Sequence, residues 1–268
     1  MITHIVTGGC SFSTPYKWPY RIQSCYPNKN FYNTGKNSAG NDFISYSMIF
    51  KAQSLLDIGI SPDQILLIIM WSGFDRKSFW INEENTSEYH NLLSTIQPCN
   101  PFIKDRDFFS DRTRDDRGFL LGTINCNTHN PYINEWKKIH FLNYFSDEYA
   151  VIENYTYMLM VEWFCKSKKV NLLNLTFADL MHYPYMPFMQ DTWHNKIPSI
   201  DTFQHAGFFQ NMFDLKNWLF YNQTGGLYDM VKDLNLGFEP DNLHPDDNSN
   251  LYFANKFLIP HLQENYSL

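Results

Sequence analysis

The hydrophobic positions of this chain form two kinds of pattern, short continuous apolar runs and longer segments with apolar residues at helical spacing. Residues 65–71 are apolar at every position, as expected of a strand that is covered on both faces of a parallel sheet. Residues 4–7 predict a short strand that ends at Gly8 and Gly9, and residues 170–177 predict another. The chain therefore contains at least three segments that favour buried strands.

Helical patterns lie between these strands. Residues 43–56 carry apolar side chains on one face at helical spacing, and Asn41 or Asp42 is expected to cap the first turn. A second helix is predicted over residues 151–168, directly before the third apolar run. A helix followed by a buried strand is typical of a βαβ unit, so the sequence predicts an α/β fold with a parallel sheet.

Two long stretches, about 77–148 and 181–237, fit neither pattern. We expect them to be insertions in a single domain that spans residues 1–268. The first contains a mixed-charge run at 111–117, which is typical of a solvated loop. The second is rich in aromatic residues, which form the core of the insertion or, alternatively, a ledge on which a sugar ring or an acyl chain packs.

Composition narrows the classes of partner. The net charge is −7, which argues against a nucleic-acid partner because contacts to phosphates need a basic excess. The longest apolar run is too short to cross a bilayer, and the first residues lack the pattern of a signal peptide. The five cysteines include no Cys-x-x-Cys pair, so reduced thiols are expected. We therefore predict a soluble, cytoplasmic protein without a membrane partner; its oligomeric state is left open.

Histidines and acidic residues in the second half do not predict a metal site. No pair of histidines there has the helical His-x-x-x-His spacing of a zinc ligand set. We expect isolated polar residues, with neither a metal nor another cofactor. The residues considered are His182, Asp191, His194, Asp201, His205 and His261.

Candidate chemistry lies in four short segments that follow one another along the chain. Gly9-Cys10-Ser11-Phe12-Ser13 follows the first predicted strand, and the segment from Asn33 to Asp42 precedes the first helix. Trp71-Ser72-Gly73-Phe74-Asp75 follows the most apolar run, and Asp241-Asn242-Leu243-His244-Pro245 comes before the last helix. Segments that follow parallel strands can meet at the edge of the sheet formed by the carboxyl ends of those strands.

Ser11 and His244 have the properties of a nucleophile and its base. A serine hydroxyl needs a base within hydrogen-bond reach, and the base must be oriented by a third group. The three-residue spacing from Asp241 to His244 lets the carboxylate approach the imidazole across one turn. One of residues 246–248 should cap the final helix, which is predicted from about Ser249 to Leu258, before Pro260.

Together the four segments resemble the SGNH/GDSL family of hydrolases. The resemblance implies a three-layer, flavodoxin-like core with about five parallel strands. It also implies that Ser11 is the nucleophile, His244 the general base and Asp241 its orienting partner. The oxyanion hole would consist of the backbone N–H of Ser11, the N–H of Gly40 and the side chain at Asp75.

The sequence departs from the family pattern at two positions. Asp75 stands where the family has an asparagine, and an ionised carboxylate donates no hydrogen bond to an oxyanion. There are three alternatives for the oxyanion hole: Asp75 is neutral, Arg76 compensates its charge, or the hydrogen bond is donated by Ser72 or Asn41. Cys10 stands where the family has an aspartate before the nucleophile, and we interpret it as a packing residue.

The resemblance implies hydrolysis of an acyl ester through a covalent acyl-enzyme. The substrate would be a small molecule or a glycan, with some preference for a carbohydrate O-acyl group. One alternative is an acyltransferase on the same fold, in which a sugar hydroxyl replaces water. Another is a catalytically degenerate member that binds a glycan or a protein, which Asp75 at the oxyanion position would favour.

Overall fold

A parallel four-stranded sheet forms the centre of the computed structural model. Its strands are β1 (His4–Gly9), β2 (Asn30–Asn33), β3 (Ile65–Trp71) and β6 (Asn171–Thr176), in the order β2-β1-β3-β6. The structure describes residues 1–14, 16–37, 39–74, 76–80, 119–123, 146–182, 205–241, 243–266 and 268, with the backbone alone at 77–80, 119–123 and 147.

This strand order confirms the α/β class. Counted along the chain, the four parallel strands have the order 2-1-3-4, which is the start of the flavodoxin-like order. An isolated parallel bridge joins Asn174 of β6 to Trp218, beyond the fourth strand. Every residue of β1 and β3 is buried, so the continuous apolar run of β3 has the predicted cause. Ligand sites in such sheets lie at the carboxyl ends of β1 and β3, where the strand order reverses.

Helices surround the sheet and are numbered here along the chain. Short 3₁₀ turns occur at Ser11–Ser13, Pro62–Gln64 and Leu215–Asn217. The α-helices are α1 (Trp18–Cys25), α2 (Asn41–Asp57), α3 (Asp147–Lys168), α4 (Ala206–Gln210), α5 (Leu227–Asp233), α6 (Asp247–Tyr252) and α7 (Ile259–Tyr266). A π-helical segment, Phe253–Leu258, joins α6 to α7.

Two successive glycines at the end of β1 show how the layers meet. A Cβ at Gly8 would lie 2.4 Å from Sδ of Met48 in α2, whereas a Cβ at Gly9 would lie 2.3 Å from Oγ of Ser13. Since neighbouring residues of a strand face opposite sides of the sheet, α2 and the Ser11–Ser13 turn lie on opposite faces. Gly9 also has φ +151°, a backbone conformation that residues other than glycine rarely adopt.

Two predictions about helix ends were wrong. The last helical segment does not stop before Pro260 but continues through it to Tyr266. The π-helical turn before Pro260 changes the backbone hydrogen-bond pattern, which accommodates a residue without an N–H. At α2 the N-cap is Gly40, and neither Asn41 nor Asp42 occupies that position.

Only parts of the two predicted insertions fall within the described residues. In the first, β4 (Arg76–Trp80) pairs antiparallel with β5 (Phe119–Thr123). The second includes α4 and α5. The single domain and the bounds of both insertions therefore remain predictions. Among the described helices, none combines the length and apolar character needed to cross a membrane.

Candidate active site

Ser11 lies in a tight turn at the carboxyl end of β1. It begins the Ser11–Ser13 turn, in which the N–H of Ser13 donates to the carbonyl of Cys10 at 2.8 Å. The hydroxyl of Thr14 donates to the carbonyl of Ser11 at 3.1 Å. Cys10 is fully buried and Ser11 is partly exposed, so the turn directs residue 10 into the core and presents residue 11 at the sheet edge.

His244 lies beside this serine. Its Nε2 is 2.7 Å from Oγ of Ser11, and its Nδ1 is 2.5 Å from Oδ2 of Asp241. The other carboxylate oxygen of Asp241 accepts the backbone N–H groups of Leu243 and His244, both at 2.9 Å. The carboxylate thus fixes both the turn and the ring. With Nδ1–H donating to Asp241, Nε2 is left to accept the proton of a hydroxyl.

Hydrogen bonding controls the ionisation of Asp241. Partial burial would raise the pKa of this carboxyl group. Hydrogen bonds from the His244 ring and from the backbone N–H groups of His244 and Leu243 outweigh that effect and lower the pKa to about 2. Asp241 is therefore ionised at neutral pH, and it remains an acceptor for Nδ1–H.

An apolar wall lies next to the imidazole. The ring of Phe12 is centred 5.0 Å from the ring of His244 and 5.0 Å from that of Phe177, just beyond β6. Phe12 and Phe177 are 1% and 0% exposed. The ring of Phe12 therefore shields one side of the imidazole from water, which strengthens its electrostatic interaction with Asp241.

Gly40 lies at the amino end of α2 and packs closely on the start of β4. A Cβ there would lie 2.9 Å from the carbonyl oxygen of Arg76, so a glycine is required for this approach. Within the described part of the chain, the N–H groups of Gly40 and Ser11 donate to no acceptor. Backbone donors at a helix amino end, such as that of Gly40, favour an anion; the oxyanion role of the two residues stays a prediction.

Asn41, considered above as an alternative oxyanion donor, is used elsewhere. Its side-chain amide donates to the carbonyl of Ser72 (2.9 Å) and to Oδ1 of Asn154 (2.8 Å), and its Oδ1 accepts the N–H of Ser72 (2.8 Å). Asn154 in turn donates to the carbonyl of Phe74 at 3.4 Å. This buried network fixes the backbone after β3 between α2 and α3.

The predicted oxyanion hole also includes one side-chain position, that of Asp75. Asp75 lies outside the described residues, so its role stays a prediction. Arg76 next to it is 6% exposed. Oγ of Ser72 is buried and has no hydrogen-bond partner among the described residues, so it is the alternative named from the sequence that keeps an unused donor there.

Glu239, Asp241 and His244 are close enough to be tested as metal ligands. One ligand atom from each lies within 4.8 Å of the others. Both ring nitrogens of His244 are already engaged, by Ser11 and Asp241, and the carboxylate of Glu239 pairs with the ammonium of Lys17. The donors are therefore arranged as an acid–base chain with a neighbouring ion pair.

The other histidines named from the sequence lie in separate pairs. His182 is 3.0 Å from Asp179, and His205 is 3.0 Å from Glu148. His261 contacts Asn265 at 3.3 Å. Residues 191, 194 and 201 lie outside the described part of the chain.

Asp-x-x-His also occurs at Asp179–His182 and at Asp191–His194, of which the latter lies outside the described residues. Asp179 accepts the backbone N–H groups of Met181 (3.2 Å) and His182 (3.0 Å) on one oxygen, and its other oxygen is 3.0 Å from Nδ1 of His182. This is the hydrogen-bond pattern of the turn from Asp241 to His244. The motif therefore encodes a local turn, and the proximity of Ser11 distinguishes the copy at Asp241–His244.

Comparisons with known proteins do not assign this chain to a family. No protein-family model matches the chain, and no curated protein is significantly similar. Among solved structures, the chain is similar to a member of the lipolytic protein G-D-S-L family from Veillonella parvula DSM 2008, with 9% sequence identity, a TM-score of 0.45 and 98% of each chain covered. The fold class therefore rests on the strand order of the sheet.

Proposed function

We propose that the protein is a serine esterase, with Ser11 as nucleophile, His244 as general base and Asp241 as the group that orients it. The observation that carries this proposal is the continuous chain of contacts from Oγ of Ser11 to Nε2 of His244 (2.7 Å) and from Nδ1 to Asp241 (2.5 Å). Each distance is within hydrogen-bond reach, and each group has the partner that its role requires.

In the first half-reaction, Nε2 of His244 accepts the proton of the Ser11 hydroxyl as Oγ attacks the acyl carbonyl carbon. The carbonyl oxygen becomes an oxyanion, to which the N–H groups of Ser11 and Gly40 would donate. When the intermediate collapses, the C–O bond to the alcohol breaks. The proton on His244 passes to the departing alkoxide, and the acyl group stays on Ser11.

In the second half-reaction, His244 accepts a proton from water as the water oxygen attacks the acyl-enzyme. The ester bond to Oγ breaks, Ser11 regains its proton from the imidazolium, and the carboxylic acid is released. Asp241 keeps its negative charge throughout and stabilises the imidazolium formed in each half-reaction. The pKa of about 2 is consistent with this role.

The test is release of p-nitrophenol from a short acyl ester by purified protein. The wild type should hydrolyse the ester, and Ser11→Ala should lose this activity while its circular dichroism is unchanged. A fluorophosphonate probe should give one adduct, located on Ser11 by mass spectrometry. Equal ester hydrolysis by both proteins, or no adduct at Ser11, would exclude Ser11 as the nucleophile of a serine esterase.

A further inference from the structure

Lys17 joins the segment that holds Ser11 to the loop that holds His244. Its ammonium pairs with the carboxylate of Glu239 and lies 3.4 Å from the carbonyl oxygen of Pro245. Lys17 is six positions after Ser11, and Pro245 directly follows His244. The Lys17 side chain is 14% exposed, against 39% for Glu239, so the pair is partly withdrawn from solvent.

Further hydrogen bonds, close to the contacts of Lys17, fix the two ends of the loop around His244. The N–H of Glu239 donates to the carbonyl of His244 at 2.7 Å. The side chain of Asn250 donates to the carbonyl of Pro245 at 2.9 Å and accepts the N–H of Trp18 at 3.2 Å. Lys17 and Asn250 therefore hold the Pro245 carbonyl from the α1 and α6 sides, next to the histidine.

The ion pair also changes the charge that faces the imidazole. A carboxylate oxygen of Glu239 lies within 4.8 Å of ligand atoms of both Asp241 and His244. Without a cation, two carboxylates would face one ring, and both would favour its protonated form. The ammonium of Lys17 offsets the second carboxylate and leaves Asp241 as the principal charge on the ring.

The other described groups around the His244 ring carry no positive charge that could offset Glu239. Asp246 on the same turn caps α6 by accepting the N–H of Ser249 at 2.8 Å. From the turn after β1, the ring meets the Ser11 hydroxyl and the Phe12 ring, with the buried thiol of Cys10 behind them. Among the described residues, the cation that reaches this loop is Lys17.

We propose that Lys17 is a positioning residue for the His244 base, because it neutralises Glu239 and fixes the loop between Glu239 and Pro245 against the segment that carries Ser11. This inference rests on the proposed esterase function. A general base must be neutral to accept a proton. Neutral Lys17 variants should therefore shift the acid limb of the rate profile to higher pH, because unpaired Glu239 favours the imidazolium.

The experiment measures kcat/KM for ester hydrolysis against pH in a set of charge variants. Lys17→Met should move the acid limb up by about 0.5–1 pH unit, the size expected for one nearby partly exposed charge. Glu239→Gln should move it down, because Lys17 then opposes the imidazolium. The double variant should return close to the wild type, and Lys17→Arg should retain the wild-type profile. Lys29→Met is the matched control, since Lys29 donates to the carbonyl of Ile2 at 2.7 Å, before the start of β1.

A second readout does not need activity. In the Ser11→Ala background, the His244 ring is titrated by NMR with and without Lys17→Met, and the same shift is expected. If wild-type hydrolysis depends on Ser11 but neither Lys17→Met nor Glu239→Gln moves the acid limb, the inference is wrong and the proposed function stands. If hydrolysis does not depend on Ser11, the proposed function fails; an unchanged NMR titration would then overturn the charge effect of Lys17 as well.

Discussion

Oγ of Ser11 lies 2.7 Å from Nε2 of His244, although the two residues are 233 positions apart in the chain. The serine is held by the turn after β1, and the histidine by the turn before α6. Each turn is fixed by its own hydrogen bonds, so the contact between them depends on how the carboxyl edge of the sheet is packed.

The first prediction concerns the histidine itself. His244→Asn should lower kcat by at least about 10³-fold, because Ser11 would lose the group that accepts its proton. The measurement is steady-state hydrolysis of p-nitrophenyl acetate. His182→Asn is the matched control, because His182 makes the same local contacts with Asp179 and has no role in the proposed reaction. Equal losses in the two variants would argue against a specific role for His244.

Asp241→Asn provides a second prediction. The neutral amide has a single acceptor oxygen, which cannot serve both the backbone N–H groups and Nδ1–H, and it has no charge to stabilise the imidazolium, so kcat should fall by about 10²–10⁴-fold. The acid limb of the rate profile should also move to lower pH, because a charge that favours the imidazolium has been removed. Asp179→Asn changes the equivalent turn at His182 and should leave both quantities unaltered. An Asp241→Asn profile identical to the wild type would contradict the assigned role.

A third prediction tests Gly40. In Gly40→Ala the new Cβ would lie 2.9 Å from the carbonyl oxygen of Arg76 and 2.6 Å from Oδ1 of Asp42. The side chain of Asp42 can rotate, but the backbone at Arg76 must shift, and the N–H of Gly40 moves with it. Because a displacement well below 1 Å at an oxyanion donor weakens transition-state binding, kcat should fall by about 10–100-fold with little change in KM.

The control for Gly40→Ala is Gly207→Ala in α4. A Cβ at Gly207 would have no atom within 4 Å, so this variant should keep full activity and the same thermal midpoint or a slightly higher one. If Gly40→Ala retains the wild-type kcat, its N–H does not belong to the oxyanion hole.

The sequence was sufficient where one local interaction decides the structure. β3 has the predicted bounds, Ile65 to Trp71, because a strand buried on both faces leaves an unbroken apolar run. The α2 helix begins at Asn41, a residue expected at its cap. The side-chain amide of Asn41 instead donates hydrogen bonds to Ser72 and Asn154. Contacts between residues so far apart in the sequence cannot be predicted from local spacing.

The candidate site, likewise, could be predicted from the sequence only as far as its local turns. Asp-x-x-His predicts a turn in which the carboxylate binds the ring, and the two copies that the structure describes both form it. Which copy faces the serine depends on tertiary packing. Lys17 and Glu239 are 222 positions apart, and neither belongs to a periodic pattern or a recognisable motif. Their pairing could be found only after the two segments were seen together.

The last prediction concerns Glu162, a buried acidic residue on α3 remote from the proposed chemistry. Its Oε1 accepts the indole N–H of Trp218 at 2.6 Å and the side chain of Asn174 at 3.2 Å, and its Oε2 accepts the N–H of Asp214 at 3.1 Å. Burial raises the pKa of this carboxyl group from its ordinary value of 4.5, although the bonds from Asp214 and Trp218 act in the opposite direction. The folded state thus holds the proton to a higher pH than the unfolded state does.

The sign of the pH effect follows from this difference. Protonation of Glu162 favours folding at low pH, and this contribution is lost as the pH rises from about 4.5 through the raised folded pKa. Glu162→Gln has no such titration, but it has a single acceptor oxygen. If that oxygen accepts from Trp218 and Asn174, the NH2 group faces the N–H of Asp214 and cannot accept it. The variant should therefore be less stable than the wild type by about 1–3 kcal/mol near pH 4.5, and the difference should narrow toward pH 7. Urea unfolding at several pH values measures it, with exposed Glu264→Gln as the control. A constant difference across this range would show that Glu162 has the same pKa in the folded and unfolded states.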